Sequence, residues 1–141
     1  MQDFLFALVG TIGFAILFEV RRKNIFFCGL SGAVGWVTFM FLTPYTGLFV
    51  SVFLAAAIIV ILARLFARIL RAPAPIFYIP GIFPIVPGAG IYNTAYAVVM
   101  NDFPAARSYG MLTLKTSCAI VLGIALVSLF PYTFKKNRRT E

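Results

Sequence analysis

The stretch at residues 76–101, IFYIPGIFPIVPGAGIYNTAYAVVMN, constrains this chain more than any other part of it. It is apolar enough to lie in a lipid bilayer, yet Pro80, Pro84 and Pro87 each lack the backbone N–H that an unbroken helix needs. Lipid cannot satisfy an unpaired backbone group, so irregular chain at membrane depth persists only inside protein or against a water-filled cavity. We therefore expect no helix through the first half of this stretch, and we expect the stretch to build a transport site.

The composition indicates an all-α integral membrane protein. The chain is 62% hydrophobic and 11% charged, with a mean hydropathy of +0.99, far from the values of soluble domains. Its net charge of +8 comes from 12 Lys and Arg against 4 Asp and Glu. In a membrane protein such an excess is typically carried by cytoplasmic loops, which lie beside anionic lipid headgroups. We expect a lipid bilayer as its surroundings and no nucleic acid as a partner. With no His and few acids, we expect neither enzymatic activity nor a metal site or cofactor.

Apolar runs divide the chain into about five transmembrane helices within a single transmembrane domain, residues 1–141. The fourth of these helices is the one broken by Pro and Gly. A polar turn at 43–47 and a polar loop at 102–110 separate neighbouring spans, and a stripe of small residues in the second span, Gly29, Gly32, Ala33 and Gly35, favours close helix packing. The predicted spans are residues 4–20, 25–42, 48–70, 76–101 and 111–134.

The basic residues predict the orientation in the membrane. Clusters at 21–23, 64–71 and 135–139 hold most of the Lys and Arg residues, and such clusters face the cytoplasm. Five crossings then place the N-terminus outside and the C-terminus in the cytoplasm. A re-entrant fourth segment, the less favoured alternative, would bring residues 102–110 inside and force the basic tail outside.

Two polar faces are predicted near the break. If a helix restarts after Pro87, small and polar residues share one face of it, and hydroxyl residues in the last span form a second face. The first face holds Gly90, Asn93, Thr94, Ala97 and Asn101, and the second holds Thr113, Thr116 and Ser117. The faces would meet across a cavity, where the N–H groups at the start of the restarted helix suit a carboxylate. The alternative is that these side chains only join neighbouring helices by hydrogen bonds.

Several charged side chains permit two interpretations, whereas the two cysteines permit one. Glu19 either pairs with the basic cluster at 21–23 or carries a proton. Arg64, Arg68 and Arg71 share one helix face that either meets an anionic substrate or reaches lipid phosphates. Lys115 either meets a second carboxylate or extends outward to the membrane surface. The two cysteines, Cys28 and Cys118, are expected to be buried free thiols.

At residues 80–92, PGIFPIVPGAGIY, the chain resembles the threonine/serine exporter family, specifically the second membrane half that some bacteria encode as a separate small subunit. The segments GFAILFEV at 13–20 and CGLSGAVGW at 28–36 are similar to the same family's pattern, so the resemblance covers most of the chain. It implies a multi-pass subunit of the bacterial inner membrane that works with a larger subunit, which supplies the other membrane half and a cytosolic region. It also implies export of threonine and serine, or of a dicarboxylate such as succinate, driven by the proton-motive force.

We accordingly expect a membrane subunit of a secondary exporter whose small-molecule substrate carries a carboxylate. The alternative is a structural subunit that stabilises a partner holding the whole pathway. The residues expected to contact substrate are Pro80, Gly81, Pro84, Pro87, Gly88, Gly90, Asn93, Thr94, Asn101, Thr113 and Ser117.

Overall fold

The computed structural model describes residues 2–130, and this part of the chain is helical with no strand. The all-α class predicted from the sequence is thus confirmed. Its helices are α1 (Gln2–Leu17), α2 (Arg22–Leu70), α3 (Pro75–Ile82), α4 (Gly88–Val99) and α5 (Phe103–Leu129), with a 3₁₀ turn at Phe83–Ile85. The predicted basic tail at 135–139 and the end of the predicted last span, residues 131–134, lie outside the described residues.

The long helix α2 is folded back on itself at Gly47. Gly47 has φ 78° and ψ 169°, a left-handed conformation that glycine adopts without a Cβ clash. Two pairs across the fold show antiparallel limbs: the rings of Phe27 and Phe66 have centroids 5.1 Å apart, and the hydroxyl oxygens of Thr43 and Ser51 lie 3.3 Å apart. The two limbs, residues 22–46 and 48–70, are helices that contain the apolar runs at 25–42 and 48–70. The turn is narrower than predicted, because the helix continues to residue 46 and the chain reverses at Gly47 alone.

The small-residue stripe of α2 makes the close contacts that the sequence predicts. A Cβ added at Gly32 would collide with Thr11 of α1, and one added at Gly29 would lie 2.7 Å from Cγ1 of Ile12. On the other side, a Cβ at Gly35 would collide with Ile59 of the second limb. The stripe therefore packs the first limb of α2 against both α1 and the second limb.

The helix α3 and the 3₁₀ turn complete the core. Phe77 of α3 is fully buried, in a cluster that includes Cys28 and Phe66. A second cluster joins Ile82 and Ile85 to the second limb of α2 and to α5. Pro80, Gly81 and the 3₁₀ turn therefore belong to a packed bundle rather than to a loose connection.

The helix α5 begins earlier than the sequence predicts. The polar loop expected at 102–110 is helical from Phe103, because Oδ1 of Asp102 accepts a hydrogen bond from the backbone N–H of Ala105 at 3.1 Å and Pro104 lies in the first turn. This cap satisfies a backbone donor that would otherwise lack a partner, and proline is well tolerated in the first helical turn. Farther along, Gly123 packs on the second limb of α2, where an added Cβ would lie 2.6 Å from the Phe53 carbonyl oxygen.

Two helices are long and apolar enough to cross a membrane, Arg22–Leu70 and Phe103–Leu129. The pair Pro75–Ile85 and Gly88–Val99, bent by 53°, would be a third if it is one span, and the apolar helix Gln2–Leu17 is shorter. Glu19 lies beyond α1 in an exposed turn, with a left-handed φ of 54°.

Candidate functional site

The helix break expected from the prolines lies at Val86 and Pro87. Val86 is extended, with φ −65° and ψ 131°, and Pro87 has φ −78° and ψ 56°. The helix restarts at Gly88, as the sequence predicts. As expected, no helix runs through the first half of the stretch, but the irregular part is shorter than the prolines suggest, because Pro75–Ile82 is helical. Pro75 lies in the first turn, where its missing N–H costs nothing, so only Pro80 interrupts the helical hydrogen bonds from within.

Two side chains of α2 donate to backbone carbonyls around Pro80. Pro80 lacks the N–H that would bond to the carbonyl of Ile76 four residues earlier, and the thiol of Cys28 donates to that carbonyl at 3.3 Å. The hydroxyl of Ser31 lies 3.3 Å from the carbonyl oxygen of Phe77 and 2.8 Å from that of Cys28. The sequence predicted buried free thiols at Cys28 and Cys118, and Cys118 is exposed instead. The donation by Cys28 was not predicted, although each proline inside a helix leaves the carbonyl four residues earlier in need of a donor.

The predicted site residues in α3, before the break, are buried in the bundle. Pro80 is fully buried, and a Cβ added at Gly81 would lie 2.7 Å from Oγ of Ser31 and 3.1 Å from Ile59. Pro84 instead lines a cavity of about 280 Å³ between α1 and the first limb of α2. Asp3 lines the same cavity.

The two predicted polar faces meet in direct contact between α4 and α5. A Cβ added at Gly90 would collide with Oγ1 of Thr113, and one added at Gly110 would lie 3.4 Å from Cγ2 of Thr94. These two pairs show that α4 and α5 run antiparallel. At both levels the helices touch, whereas the sequence led us to expect a cavity between them. Gly110, which Thr94 contacts, was not among the predicted residues.

The hydroxyl groups at this contact donate to their own helices. Thr94 donates to the carbonyl of Gly90 at 2.7 Å, and Thr113 donates to that of Tyr109 at 2.8 Å. Thr116 is buried and donates to the carbonyl of Leu112 at 2.9 Å. Each oxygen keeps its acceptor lone pairs, so the contact offers a substrate hydrogen-bond acceptors rather than hydroxyl donors.

The remaining predicted residues lie around this contact. Asn93 and Ser117 are half-buried, and neither side chain is hydrogen-bonded to a residue in the described range 2–130. Asn101 is exposed and left-handed, with φ 58°. Because α4 ends at Val99, Asn101 belongs to the turn between α4 and α5 and not to the helix face on which the sequence placed it.

The start of α4 retains backbone donors. The N–H of Gly88 bonds to the carbonyl of Val86 at 2.8 Å, and that of Ile91 bonds to the carbonyl of Pro87 at 3.0 Å. Among the described backbone hydrogen bonds at the break, the N–H groups of Ala89 and Gly90 make none. A helix N-terminus with unpaired N–H groups attracts negative charge, which is the chemistry predicted here for a carboxylate.

The α4 helix has one neighbour in the described part of the chain. It packs against α5 and makes no contact with α1, α2 or α3. The backbone at Val86 and Pro87 therefore joins α4 to α3 without a packing contact between these helices. Pro80 and Gly81 of α3 lie apart from Asn93 and Thr94 of α4. The structure thus divides the predicted residues into a buried group in α3 and a group on α4 and α5.

Comparison with known proteins indicates the family. The family model described as Threonine/Serine exporter, ThrE matches residues 3–130. An uncharacterized protein of Haemophilus influenzae is 30% identical over 144 aligned residues, which cover 96% of this chain and 48% of that relative. The chain thus spans about half the length of the curated relative that it matches. No solved structure matches the chain. Because the family model covers nearly all of the described residues, this membrane protein belongs to the threonine/serine exporter family.

Proposed function

We propose that this chain is one membrane half of a secondary exporter that moves small carboxylate metabolites out of the cell without altering them chemically. The substrates are threonine and serine, or a dicarboxylate such as succinate. The observation that carries the proposal is the break at Val86 and Pro87, which leaves the first-turn N–H groups of Ala89 and Gly90 available to a carboxylate. Membership of an exporter family supports the direction and the substrate class.

Five crossings of the bacterial inner membrane follow from this proposal. The folded α2 supplies two, the bent pair of α3 and α4 supplies one, and α1 and α5 supply one each. With the basic clusters at 21–23 and 64–71 in the cytoplasm, the N-terminus lies outside and the C-terminus inside. The break then lies within the membrane, with the start of α4 directed toward the cytoplasm.

A larger partner subunit completes the exporter in this proposal. The curated relative is about twice as long as the aligned region, which supports a second membrane half that a separate chain supplies here, together with a cytosolic region. The α4 helix packs only against α5 among the described helices, so the rest of its surface, which begins beside the half-buried Asn93, is open to such a half. We place the substrate between α4 and the partner, with Thr94, Thr113, Ser117 and Asn101 at its edge.

A second candidate function has one specific observation in its favour. Pro80 and Gly81 are buried against α2, and Cys28 and Ser31 donate to the carbonyls beside them. This arrangement suits a subunit that only stabilises a partner holding the whole pathway. In that case, changes at Pro80 and Gly81 should alter the yield of the complex and never the choice of substrate.

Efflux measurements test the proposal. Cells loaded with labelled threonine or labelled succinate are compared with and without this chain, in the presence and absence of its larger partner. Export should require both chains, and variants at Gly88, Gly90 and Asn93 should change the ratio of the two efflux rates. Export that the partner alone supports at the full rate would leave only the stabilising role.

A further inference from the structure

A groove lies at the end of the bundle away from the α4–α5 turn. It has a volume of about 790 Å³ and lies between the second limb of α2, the turn at 71–74 and the C-terminal end of α5. Most of its walls are hydrocarbon, from side chains such as Ile61, Leu65, Leu126 and Val127. None of the residues assigned above to the substrate site lines it.

Two arginines bring positive charge to this groove. Arg64 and Arg68 both line it and are one helical turn apart on α2. Nη1 of Arg64 donates to the backbone carbonyl of Phe130 at 2.9 Å, which holds the guanidinium between the ends of α2 and α5. A guanidinium has five N–H donors in a planar fork, a geometry that binds phosphate oxygens in pairs. In the described part of the chain no acidic side chain lines the groove.

The groove is open on the side that faces the surroundings of the bundle. Ile61 is 54% exposed, Leu65 is 49% exposed and Leu126 is 46% exposed, although all three line it. An occupant can therefore enter sideways, from the hydrocarbon region of a membrane, as well as from its surface.

The chemistry of the walls selects the class of occupant. Threonine, serine and succinate carry polar groups on most of their atoms, and burying such groups against hydrocarbon without hydrogen bonds is unfavourable. A molecule with a phosphate at one end and long hydrocarbon at the other matches both the arginines and the apolar walls. We propose that this groove binds an anionic phospholipid, with the headgroup phosphate on Arg64 and Arg68 and an acyl chain along Ile61, Leu65 and Leu126. This site is separate from the substrate site and does not depend on what is exported.

The single tryptophan of the chain allows a direct test. Trp36 is the only Trp in the sequence, so the double variant Trp36→Phe, Leu126→Trp places one fluorescent reporter in the groove. The protein is reconstituted in phosphatidylcholine vesicles that contain brominated phosphatidylglycerol or, at equal mole fraction, brominated phosphatidylcholine. Bromine quenches the reporter on contact. We expect about tenfold enrichment of phosphatidylglycerol over phosphatidylcholine at the groove.

Variants of the reporter chain identify the cause of that enrichment. Adding Arg64→Gln and Arg68→Gln should remove the preference for phosphatidylglycerol, and adding Arg64→Lys and Arg68→Lys should keep part of it. Arg107→Gln is the matched control, since Arg107 is an exposed arginine near the opposite end of α5. Circular dichroism of each variant reports whether the helices remain formed.

Three results would overturn the proposal. Equal quenching by the two brominated lipids would show that the groove has no preference for an anionic headgroup. Displacement of phosphatidylglycerol by inorganic phosphate would show a site for small anions. Replacing residues 131–141 with a glycine–serine sequence of equal length tests the chain's own tail, and quenching that occurs only in this variant would show that the tail fills the groove.

Discussion

The thiol of Cys28 donates to the carbonyl of Ile76 at 3.3 Å. In an unbroken helix that carbonyl would accept a hydrogen bond from the backbone N–H of residue 80, which proline lacks. The two residues are 48 positions apart in sequence, so a break in one helix is compensated by a side chain of another. A proline inside α3 is thereby tolerated, although the carbonyl that it leaves without a helical partner is partly buried.

Removing the donor at Cys28 should destabilise the bundle because of Pro80. We expect Cys28→Val to lower the free energy of unfolding by about 1 kcal/mol, since it leaves the Ile76 carbonyl without a partner. In a Pro80→Ala background the restored N–H of residue 80 can bond to Ile76, so the same substitution should cost less. Denaturant unfolding in detergent, followed by circular dichroism, measures all four proteins. Equal costs in the two backgrounds would contradict the pairing.

Gly90→Ala should separate α4 from α5. Its new methyl group would collide with Oγ1 of Thr113, and such overpacking costs about 1–3 kcal/mol. Gly13→Ala in α1 is the matched control, because nothing lies within 4 Å of a Cβ at Gly13. Export should fall in the first variant and change much less in the second. Thr113→Ala removes the obstructing oxygen, so the double variant Gly90→Ala, Thr113→Ala should regain the stability that Gly90→Ala loses, as measured by denaturant unfolding in detergent. Failure of this rescue would argue against the contact.

Asn93→Leu should abolish export while leaving membrane insertion intact. The amide is half-buried and has no hydrogen-bond partner among residues 2–130, so its replacement leaves no other described residue unpaired and removes only a group that a substrate could use. Ala95→Leu adds the same side chain at an exposed position of α4 and serves as the control. The measurements are efflux of labelled threonine and the amount of each variant in the membrane fraction. Unaltered efflux from the Asn93 variant would remove this residue from the site.

Cysteine labelling should show that the turn at Gly47 and the end of the second limb of α2 lie on opposite sides of the membrane. Thr46 is exposed just before Gly47, and Pro73 is exposed in the turn at 71–74. In a Cys118→Ser background, with Cys28 buried, an impermeant maleimide should label Thr46→Cys from outside intact cells. Pro73→Cys should react only after the membrane is opened. Reaction of Thr46→Cys solely from the cytoplasm would rule out the five-crossing orientation.

Some features of this fold can be predicted from residues adjacent in sequence, and others cannot. The restart at Gly88 follows from Pro87 directly before it, and the close approach of the α2 limbs follows from Gly35 and its neighbouring small residues. The helix through Pro80 does not follow from local sequence, because Cys28, which bonds to the carbonyl that Pro80 leaves unpaired, comes from another helix. The helical start at Phe103 was missed because a polar segment looked like a loop, although Asp102 and Pro104 together form a helix cap.

The site shows the same division. The polar faces on α4 and α5 could be predicted from periodicity, and Gly90 and Thr113 do meet. Their direct contact could not be predicted, because the separation of two helices depends on residues from both, here Gly90 and Thr113. Asn101 was placed on a helix face that ends two residues before it, and its left-handed backbone marks the turn instead.

The isolation of α4 from α1, α2 and α3 has a mechanical consequence. A helix that packs against a single neighbour follows that neighbour when it tilts, so α4 and the adjoining half of α5 form one lever. The extended residue Val86 and the following Pro87 connect the α4 end of this lever to the bundle. At its other end, α5 continues to Gly123, which packs on α2. Small rotations at those two places would tilt α4 and the adjoining half of α5 together relative to the bundle, as a rigid-body hinge motion.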